Sequence, residues 1–195
     1  MSVRIGVLSL QGDFLEHVRA LAKLDCEAVP VKTPTAVMSC DGLVIPGGES
    51  TTIGKLCRRF GVGDAIRSVH EDHKPIWGTC AGAILLAKEI VASNQWRLGL
   101  MSIEVARNAF GRQVDSFETD VAVEGIAGAA VRAVFIRAPY ITRVWDDAQV
   151  LARYEDKIIM ARQDTLLASS FHPELTGDRR VQEYFLGMVR QSVGD

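Results

Sequence analysis

Short apolar runs alternate along the chain with longer stretches in which apolar residues recur every three or four positions. The first kind predicts buried strands and the second amphipathic helices. Strands are expected at 5–10, 28–31, 42–45 and 75–77, and helices at 14–24, 51–60, 63–70 and 83–89. The stretch 98–137 is richer in β-formers, and 117–123 and 131–136 read as strands, followed by others at 149–154, 158–162 and 166–171. A last helix starting near Thr176 or Asp178 carries Val181, Phe185, Met188 and Val189 on one face. Alternation of this kind predicts an α/β fold: a mostly parallel sheet with helices on both faces, its antiparallel part added late. A length of 195 residues suits one domain, 1–195.

Composition narrows the class. The net charge is −2 and the isoelectric point about 6.1, so no basic field points to nucleic acid. No apolar run is long enough to span a membrane, and the start of the chain runs into a strand without a signal peptide. Cys26, Cys40, Cys57 and Cys80 show no paired metal-type spacing, which fits reduced thiols in the cytoplasm. His17, His70 and His73 lack partners at zinc spacing and read as solvated surface.

Chemistry concentrates in three segments. Gly78-Thr79-Cys80-Ala81-Gly82 places a cysteine between a strand and a helix, with small neighbours that leave room for a tight, strained turn. A thiol there meets the positive end of a helix dipole. Far downstream, Phe171-His172-Pro173-Glu174 supplies an imidazole and a carboxylate two residues apart. With Pro173 holding the backbone extended, both side chains point to one side, so Glu174 can orient His172 toward Cys80. A lone His-Pro-Glu is an ordinary surface turn; with the cysteine elbow it reads as a Cys-His-Glu triad. The third segment, Ile45-Pro46-Gly47-Gly48-Glu49-Ser50-Thr51-Thr52, runs a strand into two glycines and then into Ser/Thr able to cap a helix. Backbone N–H groups of such a loop can hold an oxyanion. No Gly-Lys-Ser/Thr follows, so it is not a phosphate loop. Gln11-Gly12 ends the first strand, at the end of the sheet expected to face a ligand.

These segments resemble the class I, triad-type glutamine amidotransferases, and within them the glutaminase subunits of pyridoxal 5′-phosphate synthase. The run from Ile5 through Gln11-Gly12-Asp13-Phe14, the loop Gly47-Gly48-Glu49-Ser50-Thr51-Thr52, the elbow around Cys80, Arg107-Asn108-Ala109-Phe110-Gly111-Arg112-Gln113-Val114-Asp115-Ser116-Phe117-Glu118 and Phe171-His172-Pro173-Glu174-Leu175 occur in the expected order over nearly the whole chain. The Cys and His-x-Glu elements reach only the superfamily; the Glu49 loop and the Arg107 run single out the subfamily. Ser102 departs from it, standing where an acidic residue is expected.

The resemblance implies a flavodoxin-like fold and hydrolysis of L-glutamine to glutamate and ammonia by Cys80, His172 and Glu174, without metal or organic cofactor. It assigns glutamine binding to Gly47, Gly48, Glu49, Arg107, Ile136 and Arg137, and the oxyanion hole to the N–H groups of Gly48 and Ala81. It implies a barrel-type synthase subunit as partner, with neither nucleic acid nor membrane involved. Rival readings are a glutaminase feeding another synthase, such as that for imidazole glycerol phosphate, a non-catalytic domain that kept the fold, and a cysteine peptidase or redox sensor of related topology.

Overall fold

A computed structural model describes residues 2–107 and 116–194. Strands and helices first alternate: β1 (Arg4–Leu8), α1 (Phe14–Leu21), β2 (Glu27–Val31), α2 (Pro34–Met38), β3 (Gly42–Ile45), α3 (Ser50–Arg59), α4 (Val62–Glu71), β4 (Ile76–Thr79) and α5 (Ala81–Leu86). A run of strands follows: β5 (Ala87–Ile90), β6 (Met101–Ala106), β7 (Ser116–Val121), β8 (Val131–Ile136), β9 (Tyr140–Val144), β10 (Gln149–Tyr154), β11 (Lys157–Gln163) and β12 (Leu166–Ser169). A 3-10 turn at Pro173–Leu175 then leads to α6 (Arg180–Val193).

The main sheet takes the order β2-β1-β3-β4-β12-β11-β9-β6-β5, with β10 also paired to β11. From β2 to β12 every pairing is parallel. β11 turns back antiparallel beside β12. β7 and β8 form a separate antiparallel hairpin, pinned by Phe117 stacked on Phe135 with ring centroids 4.6 Å apart.

Residue parity decides which core each central side chain joins, because successive strand residues face opposite sides. Leu43, Ile45, Ile76, Leu166 and Ala168 meet residues of α3, α4 and α5 on one face. Val44, Trp77 and Leu167 meet Leu21 of α1 and Val181, Phe185 and Val189 of α6 on the other. These strands are buried on both faces, hence their unbroken apolar runs. Trp77 anchors the second core: it packs 5.5 Å from Phe185 and donates its indole N–H to Ser169 Oγ at 3.1 Å. Truncating Phe185 to Ala is expected to cost about 3–5 kcal/mol.

Several sequence expectations are corrected here. The helix expected at 83–89 ends at Leu86, and Ala87–Ile90 is strand β5, which pairs in parallel with β6. Strands β6 and β9 and the short helix α2 carried no individual prediction. The strand expected to reach residue 171 stops at Ser169, and the backbone around Pro173 is a 3-10 turn rather than extended. The last helix begins at Arg180, after Asp178 accepts from the Arg180 N–H.

Candidate active site

β3, β4 and β12 are neighbours, so the loops leaving their C-terminal ends converge at one edge of the sheet. Cys80 follows β4 directly. Its backbone sits at φ +48°, ψ −102°, a conformation side-chain-bearing residues rarely adopt. The surroundings over-determine that strain. Cys80 N–H donates to Ser169 O at 2.8 Å, tying the elbow to β12. Gly82 lies against β3 so closely that a Cβ would stand 2.0 Å from the Ile45 carbonyl oxygen.

β12 delivers the base. His172 N–H donates to Val134 O of β8 at 2.8 Å. The side chain is almost fully buried, and its Nδ1 lies 2.7 Å from Glu174 Oε1. The turn at Pro173–Leu175, not an extended segment, brings the carboxylate round to the ring. Cys80 lies beside the imidazole, the two lining the same cleft and both meeting Gly47. Burial alone would depress the His172 pKa; the neighbouring Cys80 and the hydrogen bond and charge of Glu174 overcome it and raise the value to about 10. Burial would raise the Glu174 pKa, but the close approach of His17 and the charge and hydrogen bond of His172 hold it down near 2. Both shifts favour a carboxylate beside an imidazolium over the neutral pair.

The loop after β3 closes the site. A Cβ on Gly47 would stand 2.4 Å from His172 Cε1, so only glycine lets this loop lie against the base. Gly47 O accepts from Asp13 N–H at 3.1 Å, and Gln11 Oε1 accepts from Glu49 N–H at 2.8 Å. The cap of α3 is Glu49 rather than the Ser/Thr residues expected: its Oε2 accepts from Thr52 N–H at 2.9 Å and from the Thr51 and Thr52 hydroxyls. The Thr51 hydroxyl and the other Thr52 bonds outweigh partial burial and lower the Glu49 pKa to about 2. Its Oε1 faces Arg107 Nη2 at 3.6 Å.

A cleft of about 390 Å³ opens beside these groups. Gly48, Glu49, Cys80, Ala81, Arg107, Ile136, Arg137 and His172 line it, together with Gln11, Gly12 and Asp13. The expected site residues are thus brought together, Gly47 through its contact with His172 and Glu174 one layer behind the ring. Arg137 lies at φ +42° just after β8, among the residues lining the cleft. The run 108–115, part of the subfamily signature, lies outside the described residues.

Three residues escaped sequence reasoning. Gln95 holds Arg107, accepting from its Nη1 at 2.8 Å, and exchanges hydrogen bonds with Ser50. Asp13, exposed, has a carboxylate within 4.8 Å of ligand atoms on His172 and Glu174, the one such grouping with metal-ligand proximity among the described residues. His17 contradicts the expectation of a solvated surface: it is completely buried, with Nε2 3.0 Å from Thr79 Oγ1 and 3.3 Å from Glu174 Oε2. His73 is exposed as expected, and His70 half-buried. Ser102 is buried outside this cleft, between Gln163, Asp146 and Lys88.

The SNO glutamine amidotransferase family matches residues 7–191. The chain belongs to this family. It is 54% identical over 187 residues to the pyridoxal 5′-phosphate synthase subunit PdxT of Carboxydothermus hydrogenoformans, an alignment covering 96% of this chain and 98% of the relative. The protein of the same name from Brevibacillus brevis is 54% identical over 189 residues, covering 97% and 98%. A crystal structure of a glutamine amidotransferase superposes with a TM-score of 0.90 at 51% identity, covering 95% of this chain and 98% of that one. A putative GMP synthase subunit from Thermoplasma acidophilum shares the fold alone, with a TM-score of 0.72 at 20% identity over 100% of this chain and 97% of that one. All four cysteines are free, and no described helix is long and apolar enough to cross a membrane.

Proposed function

We propose that this chain is the glutamine-hydrolysing subunit of a pyridoxal 5′-phosphate synthase, working in the cytoplasm. The observation that carries the reading is the strained Cys80 beside an imidazole that a buried carboxylate holds from behind, both opening onto one cleft. Glutamine presents an ammonium and a carboxylate at its α-carbon. Glu49 Oε1 suits the first, Arg107 and Arg137 the second, and Ile136 the methylene chain. The cleft volume suits a molecule of that size.

Cys80, as the thiolate whose proton sits on His172, attacks the side-chain amide carbon. The N–H groups of Gly48 and Ala81 take the oxyanion. His172, as imidazolium, gives its proton to the amide nitrogen, the C–N bond breaks and ammonia leaves. The neutral ring then takes a proton from water, hydroxide attacks the thioester, and glutamate departs with the thiol restored. Glu174 keeps the ring in the tautomer and orientation both half-reactions need.

The ammonia passes to a barrel-type synthase subunit, which joins it with a pentose phosphate and a triose phosphate. Leu15 on α1 and Leu175 in the turn after His172, large apolar side chains left exposed, suit the docking face. The test is a glutaminase assay with and without that subunit. Glutamate formation that rises on its addition, with ammonia incorporated into pyridoxal 5′-phosphate, supports the reading. Glutamine left untouched in the assembled complex overturns it.

A further inference from the structure

Glu174 has two carboxylate oxygens, and the triad uses one. Oε1 serves His172; Oε2 is buried, makes no hydrogen bond among the described residues, and lies 3.3 Å from His17 Nε2. The same nitrogen lies nearer Thr79 Oγ1, at 3.0 Å, and hydrogen-bonds it, while the carboxylate oxygen meets the ring as a close polar contact. The other ring nitrogen, Nδ1, is buried without a hydrogen-bond partner among the described residues, so Nε2 is where this ring acts. Trp77 meets the ring edge-on, 5.6 Å between centroids at 85°, and fixes its plane. One imidazole on α1 therefore touches both the residue preceding the nucleophile and the carboxylate that orients the base.

We propose that His17 is a positioning residue for glutamine hydrolysis: through Nε2 it holds Glu174 Oε2 and the Thr79 hydroxyl, fixing the carboxylate against His172 and the elbow against both. The inference rests on the triad reading above. A carboxylate oxygen sealed from water and left without a donor destabilises the ion. Without His17, Glu174 rotates or takes a proton, and His172 loses the partner that sets its tautomer.

The test is steady-state glutaminase kinetics on the complex with the synthase subunit, using substitutions that differ in reach. The amide nitrogen of Gln occupies the position of Nε2, whereas that of Asn falls short. His17→Gln is expected to keep kcat within about threefold, while His17→Asn and His17→Leu lose about tenfold to a hundredfold, the effect of removing a partner that orients a working histidine. The KM for glutamine should stay within about twofold, because His17 is not in the cleft. In a Glu174→Gln background, adding His17→Leu should cost little further, since coupled residues are not additive. Equal kcat for the Asn and Gln variants, or a full multiplicative loss in the double variant, overturns the proposal. If the Leu variant does not fold, the Asn and Gln pair still decides. Cys80→Ala is assayed alongside: turnover there brings down the triad reading, whereas an inert Cys80→Ala with wild-type His17→Asn brings down the role of His17 alone.

Discussion

The amide of Asp13 holds the carbonyl oxygen of Gly47 at 3.1 Å, and this bond fixes the next N–H in the chain. The peptide is trans, so the Gly48 N–H points opposite to the Gly47 carbonyl. The direction of the Gly48 N–H, the oxyanion donor proposed above, is thus set from the Gln11-Gly12-Asp13 loop, which follows β1. A synthase docking on that loop has a lever on the oxyanion hole, and a bias of a few kcal/mol changes the rate a hundredfold or more. Gly48 sits at φ +151°, and a Cβ there would lie 2.7 Å from Gln11 Oε1. Gly48→Val is expected to impair stimulated turnover more than association with the synthase. A titration of wild type that is already maximal without synthase would refute the switch.

Loss of Cys80 should be the most damaging single change. Cys80→Ala is expected to lower turnover by roughly four to six orders of magnitude, as for other covalent catalysts, while thermal melting shows an intact fold. A reactive glutamine analogue should label Cys80 and spare Cys57, whose burial pushes its thiol to about 12. Burial likewise raises Cys26 and Cys40. Mass spectrometry locating the label on any of these three contradicts the assignment.

Within the triad, effects should be unequal. His172→Asn removes both acid and base and should approach the loss of Cys80. Glu174→Gln should be roughly tenfold to a hundredfold milder than the loss of Cys80, because the orienting group transfers no proton. A wild-type rate in His172→Asn would exclude it from the chemistry.

The same pair predicts a pH signature. His172 is raised above its ordinary 6.5, so its contribution to stability is complete below 6.5 and fades as pH climbs toward 10. Glu174 is lowered from 4.5, so its contribution is complete above 4.5 and fades as pH falls toward 2. Both act fully between about pH 4.5 and 6.5. Melting temperatures across pH should show the alkaline decline flatten in His172→Asn and the acid decline flatten in Glu174→Gln. By NMR, His172 should titrate at lower pH in Cys80→Ala, which removes one of the groups holding its proton. An unchanged titration would mean that the two side chains do not interact.

The sequence was most readable where local pattern and tertiary role agree. β3 and β12 are buried on both faces and announce themselves as apolar runs. It was least readable where a neighbour overrides propensity. Ala87-Lys88-Glu89-Ile90 continues a helical composition, yet pairing with β6 draws it into the sheet. Glu49 was read as a substrate ligand, and the capping of α3 by its second oxygen left no trace in the residue types. His17 did leave a signal. It shares a buried stripe with Ala20 and Leu21, three and four positions on, but the charged Glu16 and Arg19 beside it suggested water.

The place of β12 in the sheet has a consequence for the birth of the molecule. It sits between β4 and β11, and Thr79 pairs with Ser169, so nucleophile and base meet only after the chain has grown through 166–172. Until then β4 is an open edge, with backbone donors and acceptors facing water in the middle of the future sheet. A chain cut after Gln163 should be prone to aggregation and unable to bind glutamine productively, as light scattering and calorimetry can show. Synthesis thus imposes its own safety catch: a half-made chain on the ribosome cannot spend the cell's glutamine.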